Sequence, residues 1–222
     1  MAPTKAQNGV MTPRPLGLCA VSALWLVVAC GGAPTQTAPA VPDDLEPFPQ
    51  SRAGGDLIGQ SILADLDVRW PDAPLLEDGT PGPPATLVRF WTDTCPFCRA
   101  SLPALEELRK EFLPRGFRTL GVYHPKPPRP STDADVRSAA EELGYHGPLA
   151  IDEQWTALKA IWLESGRRSA TSFSILLDGA GRVRFVHPGP EFHPSTDADH
   201  ALCNSDFSDL RLAIEQLLVE AE

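Results

Sequence analysis

Ala85-Thr86-Leu87-Val88-Arg89-Phe90-Trp91-Thr92-Asp93-Thr94-Cys95-Pro96-Phe97-Cys98-Arg99 carries the argument for the architecture of this chain. Thr86 to Thr92 is apolar and rich in β-formers, so it reads as a buried strand. Beyond it, Leu102, Leu105, Leu108 and Phe112 follow the spacing of one helical face, which predicts a helix from Cys95 to Phe112. Cys95 then stands at a helix N-terminus, where unpaired backbone N–H groups and the helix dipole favour an anion. That position lowers a thiol pKa and raises the fraction of nucleophilic thiolate. Cys98 is one turn on, near enough to close a small disulfide ring. Pro96 suits the first turn because its missing N–H would have no partner there. Pro103 interrupts the helix and is expected to kink it.

A C-x-x-C is also half of a zinc site, which would need two more ligands. The available residues are Cys203, His124, His146, His187, His193 and His200. None makes a second closely spaced pair, although His187 and His193 lie six apart. The strand-then-helix context instead favours a redox pair, and no metal is assigned.

Leu87 to Arg99, followed by Leu102-Pro103-Ala104-Leu105, resembles the thioredoxin-like family, most closely its TlpA/ResA branch. That branch consists of membrane-attached thiol–disulfide oxidoreductases facing the bacterial periplasm or its equivalent. The resemblance spans roughly residues 55 to 222 and is most specific at the C-x-x-C and from Ser172 to Gly189. It implies an α/β fold, a central mixed sheet flanked by helices, with an extra helix and strand before the C-terminal hairpin. It implies that Cys95 attacks a client disulfide and Cys98 resolves the mixed disulfide. The partners are then protein dithiols and disulfides, and no small-molecule cofactor is expected. Trp91 is expected to pack against the disulfide, with Pro96, Phe97, Arg89, Thr171 and Ser172 supporting the site.

Two positions depart from the family. Its cis-proline facing the sulfurs aligns with Ser172, or, after a two-residue insertion, with Ala170. A cis bond before serine costs several times more than one before proline, so we expect a trans bond. A hydroxyl then stands beside the sulfurs, with effects on client pairing or on metal access, or it simply fills a strand end. The family's buried acid before Phe-Trp is replaced by Arg89. A buried cation there would stabilise thiolate, giving a lowered Cys95 pKa and a less reducing couple. The alternative is a structural pair between Arg89 and an acid such as Asp152.

Lys5 and Arg14 are the only charges before Cys30, and Leu16 to Ala29 is an apolar run of 14 residues. That is too short to span a bilayer and suits a signal-peptide core. Val27-Val28-Ala29-Cys30-Gly31 looks like a bacterial lipobox, so Cys30 is expected to be lipidated at the mature N-terminus. The domains expected are a signal at 1–29, a lipidated tether at 30–54 and one folded domain at 55–222. The tether has prolines at 34, 39, 42, 47 and 49 and too little apolar surface to fold. Without residues 1–29 the chain has 17 basic and 29 acidic residues, a net −12, which argues against nucleic acid or anionic lipid as a partner surface.

Further along, the pattern predicts a mixed lead-in with a short hairpin over Leu57–Val68 and turns from Trp70 to Pro84. Strands follow at Phe117–Tyr123, Leu149–Ile151, Phe173–Leu177 and Val183–Val186, the last two joined by Asp178-Gly179-Ala180-Gly181. Helices are expected from Thr132 to Leu143, from Glu153 to Leu163 and from Asp206 to Glu220. Pro-Ser-Thr-Asp-Ala-Asp at 130–135 and at 194–199 reads as two helix caps rather than calcium loops. His187 to Pro194, with two histidines and the Glu191 carboxylate, reads as an ordered loop near the active face, with a metal cluster as the alternative. Cys203 is a resolving thiol or an inert one. A copper-binding metallochaperone using Cys95, Cys98 and a histidine is the alternative function. A peroxidase, faintly suggested by Thr92-x-x-Cys95, is a weaker one.

Overall fold

The computed structural model describes residues 53–165 and 168–222. The expected signal segment, Cys30 and the tether to residue 52 lie outside them. β1 (Ala85–Trp91) is buried along its whole length, which explains its largely apolar run. It is the middle strand of a five-stranded sheet in the order β3-β2-β1-β4-β5. β2 (Arg118–Tyr123) and β3 (Leu149–Ile151) extend the sheet in parallel. β4 (Phe173–Asp178) lies antiparallel to β1, and β5 (Val183–His187) antiparallel to β4.

Parallel neighbours need crossovers. α1 (Pro96–Phe112) links β1 to β2, and α2 (Asp133–Glu142) links β2 to β3. A short α3 (Thr156–Leu158) leads towards β4, and α4 (Ala201–Ala221) closes the chain. The fold is thioredoxin-like: a mixed sheet flanked by helices, with α2 and β3 as the extra pair ahead of the hairpin.

Each sheet face has its own core. Leu87, Trp91, Leu176 and Phe185 pack with Leu102 and Leu105 of α1 and Leu210 and Ile214 of α4. Val88, Phe90, Leu120 and Ile175 pack on the other face with Leu158, Trp162 and the lead-in residues Leu57, Ile62 and Leu66. Trp162 stacks on Phe173 at 4.1 Å, and Phe173 on Phe90 at 4.6 Å.

The hairpin expected in the lead-in does not form. Ser61 bridges instead to Arg182, and Arg69 to Ile151, so the segment spans two different sheet strands. The helix expected from Glu153 begins only at Thr156. The Asp152 carboxylate accepts the Thr156 and Leu158 N–H groups at 2.7 and 2.8 Å. Trp155 is left at φ 61, its indole donating to the Pro125 carbonyl. Lys159–Leu163 then continues as a π-turn, a form common near functional sites. α4 begins five residues before the expected Asp206, after a 3-10 turn (Ala198–His200) capped by Asp197. α1 runs through Pro103 to Phe112.

Gly121 on β2 pairs with Arg89, and a Cβ there would come 2.9 Å from Tyr145 Cε1 and 3.1 Å from Trp91 Nε1. Gly121→Ala should therefore destabilise the fold by about 1–3 kcal/mol through overpacking. Urea unfolding should show a lower midpoint at an unchanged slope.

Candidate active site

After Trp91 the chain turns through Thr92, Asp93 and Thr94 into α1. Cys95 is the extended residue just ahead of the helix (φ −86, ψ 118), with Pro96 as its first residue. Cys95 is half-buried, Cys98 is fully buried, and both thiols are free. Ser172 lies immediately before β4, and its peptide bond is trans. Its hydroxyl is 3.4 Å from Cys98 Sγ and 3.7 Å from Cys95 Sγ, so it bridges the two sulfurs. Ala170 is engaged elsewhere, its carbonyl accepting from Trp162 Nε1 at 2.7 Å.

The pair is electrostatically split. Cys98 donates to the Cys95 sulfur, helped by the Ser172 hydroxyl and the backbone N–H groups of Cys98 and Phe97, which together hold the Cys95 pKa down to about 5. Donation to Cys95 and burial push the Cys98 thiol well above its ordinary value, while Arg89 pulls it back down. Cys95 is thus the thiolate at neutral pH and Cys98 the proton-bearing partner.

Arg89 is fully buried on the same face. Its guanidinium donates to Ser174 Oγ at 3.3 Å and to the Pro190 carbonyl, and it lies 5.3 Å over the Phe192 ring. No carboxylate pairs with it among the described residues. The expected partner Asp152 instead caps α3. Burial pushes the Arg89 pKa down, and Cys98 once deprotonated, then the Cys95 thiolate, pushes it back up. The principal causes of the Cys95 shift are the hydrogen bonds above, and Arg89 acts chiefly on Cys98.

Trp91 lies 5.0 Å from Tyr123 and shares a core cluster with Cys98. Cys95 opens into a cleft of about 460 Å³ that Pro96, Phe97, Thr171, Ser172 and Pro190 help to line. Phe97, 44% exposed, stands at its rim. The sequence reading missed Lys126 and Ser169, which also line the cleft. It missed Ser101 as well, which accepts from the Phe192 N–H at 3.1 Å and donates to the Phe97 carbonyl at 3.0 Å. Buried serine on an otherwise apolar helix face was the available signal.

No histidine or carboxylate completes a three-ligand cluster with Cys95 and Cys98 among the described residues. His124 is buried and kept neutral, its pKa held to about 3 by burial and then by Lys126 and Arg89. The Thr92 hydroxyl donates to Asp93 at 3.1 Å. His187 pairs with Asp206 at 3.0 Å, leaving His193 beside Glu191 at 3.4 Å. Cys203 is half-buried and away from the sulfur pair, and burial with Glu191 and Asp206 raises its pKa.

A family model described as redoxin matches residues 76–202. No curated protein matches the sequence. Among solved structures, the chain is similar to a thiol:disulfide interchange protein of the thioredoxin family from Chlorobium tepidum: 22% identity, TM-score 0.43, 66% of this chain and 99% of that one. It is also similar to the thioredoxin domain of a thiol-disulfide oxidoreductase from Bacteroides vulgatus, at 26% identity and TM-score 0.36, over 45% and 66% of the two chains. A third is a secreted Mycobacterium tuberculosis disulfide oxidoreductase, at 14% identity and TM-score 0.38, over 56% and 80%.

Alkylation by iodoacetamide, followed by mass, should modify Cys95 alone at pH 7. Because only the thiolate reacts, the rate should hold from neutral pH down and fall as pH drops through about 5. Ser172→Ala removes one hydrogen bond to the thiolate and should move that midpoint up by about one pH unit.

Proposed function

The chain belongs to the redoxin family, and on that premise we propose that it is a lipid-anchored thiol–disulfide oxidoreductase working outside the cytoplasm on protein clients. What carries the reading is the division of labour between the sulfurs: an accessible, stabilised thiolate at Cys95 and a buried thiol at Cys98. The Cys95 thiolate attacks a client disulfide, forming a mixed disulfide and expelling a client thiolate that takes up a proton. Cys98 then loses its proton and attacks the Cys95 sulfur. The client leaves as a dithiol and the protein as the Cys95–Cys98 disulfide, two electrons having moved. In the opposite direction a client thiolate opens that disulfide at Cys95. Phe97 and the Ser169–Ser172 wall form the cleft that would receive the client segment.

The potential follows from the thiolate. Stabilising it stabilises the reduced form, as the contrast between DsbA (pKa about 3.5, about −120 mV) and thioredoxin (about 7, about −270 mV) illustrates. A Cys95 pKa of about 5 sets the couple between those limits. The membrane attachment rests on Leu16–Ala29 and Cys30. No helix among the described residues is long and apolar enough to cross a membrane.

Equilibration in graded glutathione buffers, with thiols counted by mass, should give a reversible two-electron transition between about −270 and −120 mV. Its pH dependence should be about 59 mV per pH unit below pH 5 and about half that above, where one proton fewer accompanies the electrons. The absence of any transition would refute the oxidoreductase. Cys30→Ser protein should leave the membrane fraction; if it stays there, the lipid anchor is wrong.

A further inference from the structure

We propose that Glu191, His193, His200 and Cys203 form a zinc site, separate from the sulfur pair and independent of the redox reading. Their ligand atoms all lie within 4.8 Å of one another. No other group of three or more such residues gathers so closely among the described residues. A tetrahedral zinc with bonds of 2.0–2.3 Å needs ligand atoms about 3.3–3.7 Å apart, so closure requires side-chain movements of about 1 Å. All four residues are half-buried, shielded from bulk water yet free to make that adjustment.

The backbone explains why they converge. Glu191 and His193 flank Phe192 in an extended segment; Phe192 is buried, so its two neighbours share the opposite side. His200 ends the 3-10 turn, and Cys203 lies three residues on, in the first turn of α4. That spacing puts both on one helical face. The two segments are clamped together: the His193 N–H donates to the Cys203 carbonyl at 3.3 Å, and the Ser195 N–H to Asn204 Oδ1 at 3.2 Å.

The donor set selects the ion. One thiolate, two imidazoles and one carboxylate are typical zinc ligands, and the two anions balance a divalent charge. A single carboxylate is too few oxygens for calcium or magnesium. His193 is also oriented as a ligand: its Nδ1 lies 3.1 Å from the Pro194 carbonyl, which makes Nδ1 the donor and leaves the Nε2 lone pair towards Glu191. A ring N–H held by a carbonyl behind the metal-binding nitrogen is the usual outer contact of a zinc histidine. The His193 and His200 rings are already neighbours, their centroids 4.9 Å apart. Four protein ligands make the site closed and structural. It would pin the start of α4 to the loop whose Pro190 carbonyl holds Arg89.

The test uses the full chain with Cys95 and Cys98 locked as a disulfide, so that they cannot ligate. One zinc per chain should remain after desalting and raise the unfolding temperature. His200→Ala and Cys203→Ser should each weaken zinc binding by about 100-fold or more, since even outer-contact changes cost 10–100-fold. Cobalt(II) should give a thiolate charge-transfer band that Cys203→Ser abolishes. A Cys95→Ser/Cys98→Ser double variant should bind zinc like the parent. Less than one equivalent in the locked parent overturns the site. So does binding indifferent to both ligand substitutions, or binding lost in the double variant.

Discussion

A guanidinium that no carboxylate pairs with among the described residues lies inside this domain, and the active face is arranged around it. Arg89 is fully buried on the central strand, and burial of an uncompensated cation is expensive. Ser174, the Pro190 carbonyl and the Phe192 ring solvate it, and the sulfurs supply the negative charge. Two requirements follow. The loop after β5 must return over α1 to bring Pro190 and Phe192 into place, which Ser101 secures. On the proposed reading, the reduced state would gain from a thiolate near Arg89 that the disulfide lacks. A chain with an acid at this position would face the opposite balance.

The two departures from the family pattern divide the work. Ser172 touches both sulfurs and lowers the pKa of each, whereas Arg89 acts mainly on Cys98. When Cys95 enters a mixed disulfide, it no longer accepts the proton-bearing contact from Cys98. One cause of the raised Cys98 pKa is then removed; burial stays, and Arg89 and Ser172 remain to favour deprotonation. Ser172 thus acts on both sulfurs and Arg89 chiefly on the second, one residue from each half of the fold.

Much of this was legible because the signals are local. Largely apolar, β-rich runs marked β1, β2 and β4, Thr132 marked the α2 cap, and Asp178-Gly179-Ala180-Gly181 marked the hairpin turn. The C-x-x-C at a strand–helix junction located the sulfurs. What escaped was set by contacts distant in sequence. The late start of α3 depends on Asp152 turning back to cap it and on a tryptophan forced to positive φ, neither visible in periodicity. The true surroundings of Arg89 come from Pro190, a hundred residues away and contributing only a carbonyl. Glu191 and His193 stand out as a loop with metal ligands, but no paired spacing ties them to His200 and Cys203. The early turns of α4 are too polar to show an apolar stripe, so the helix that brings Cys203 to His193 was read as beginning later.

The depth of Cys98 sets a clock. If a client is tethered to Cys95 as proposed, the sulfur placed to release it is sealed in the core. The dwell time of the covalent complex would then depend on how readily a buried thiol gives up its proton. Selectivity among clients would be exercised partly after capture, rather than only at encounter.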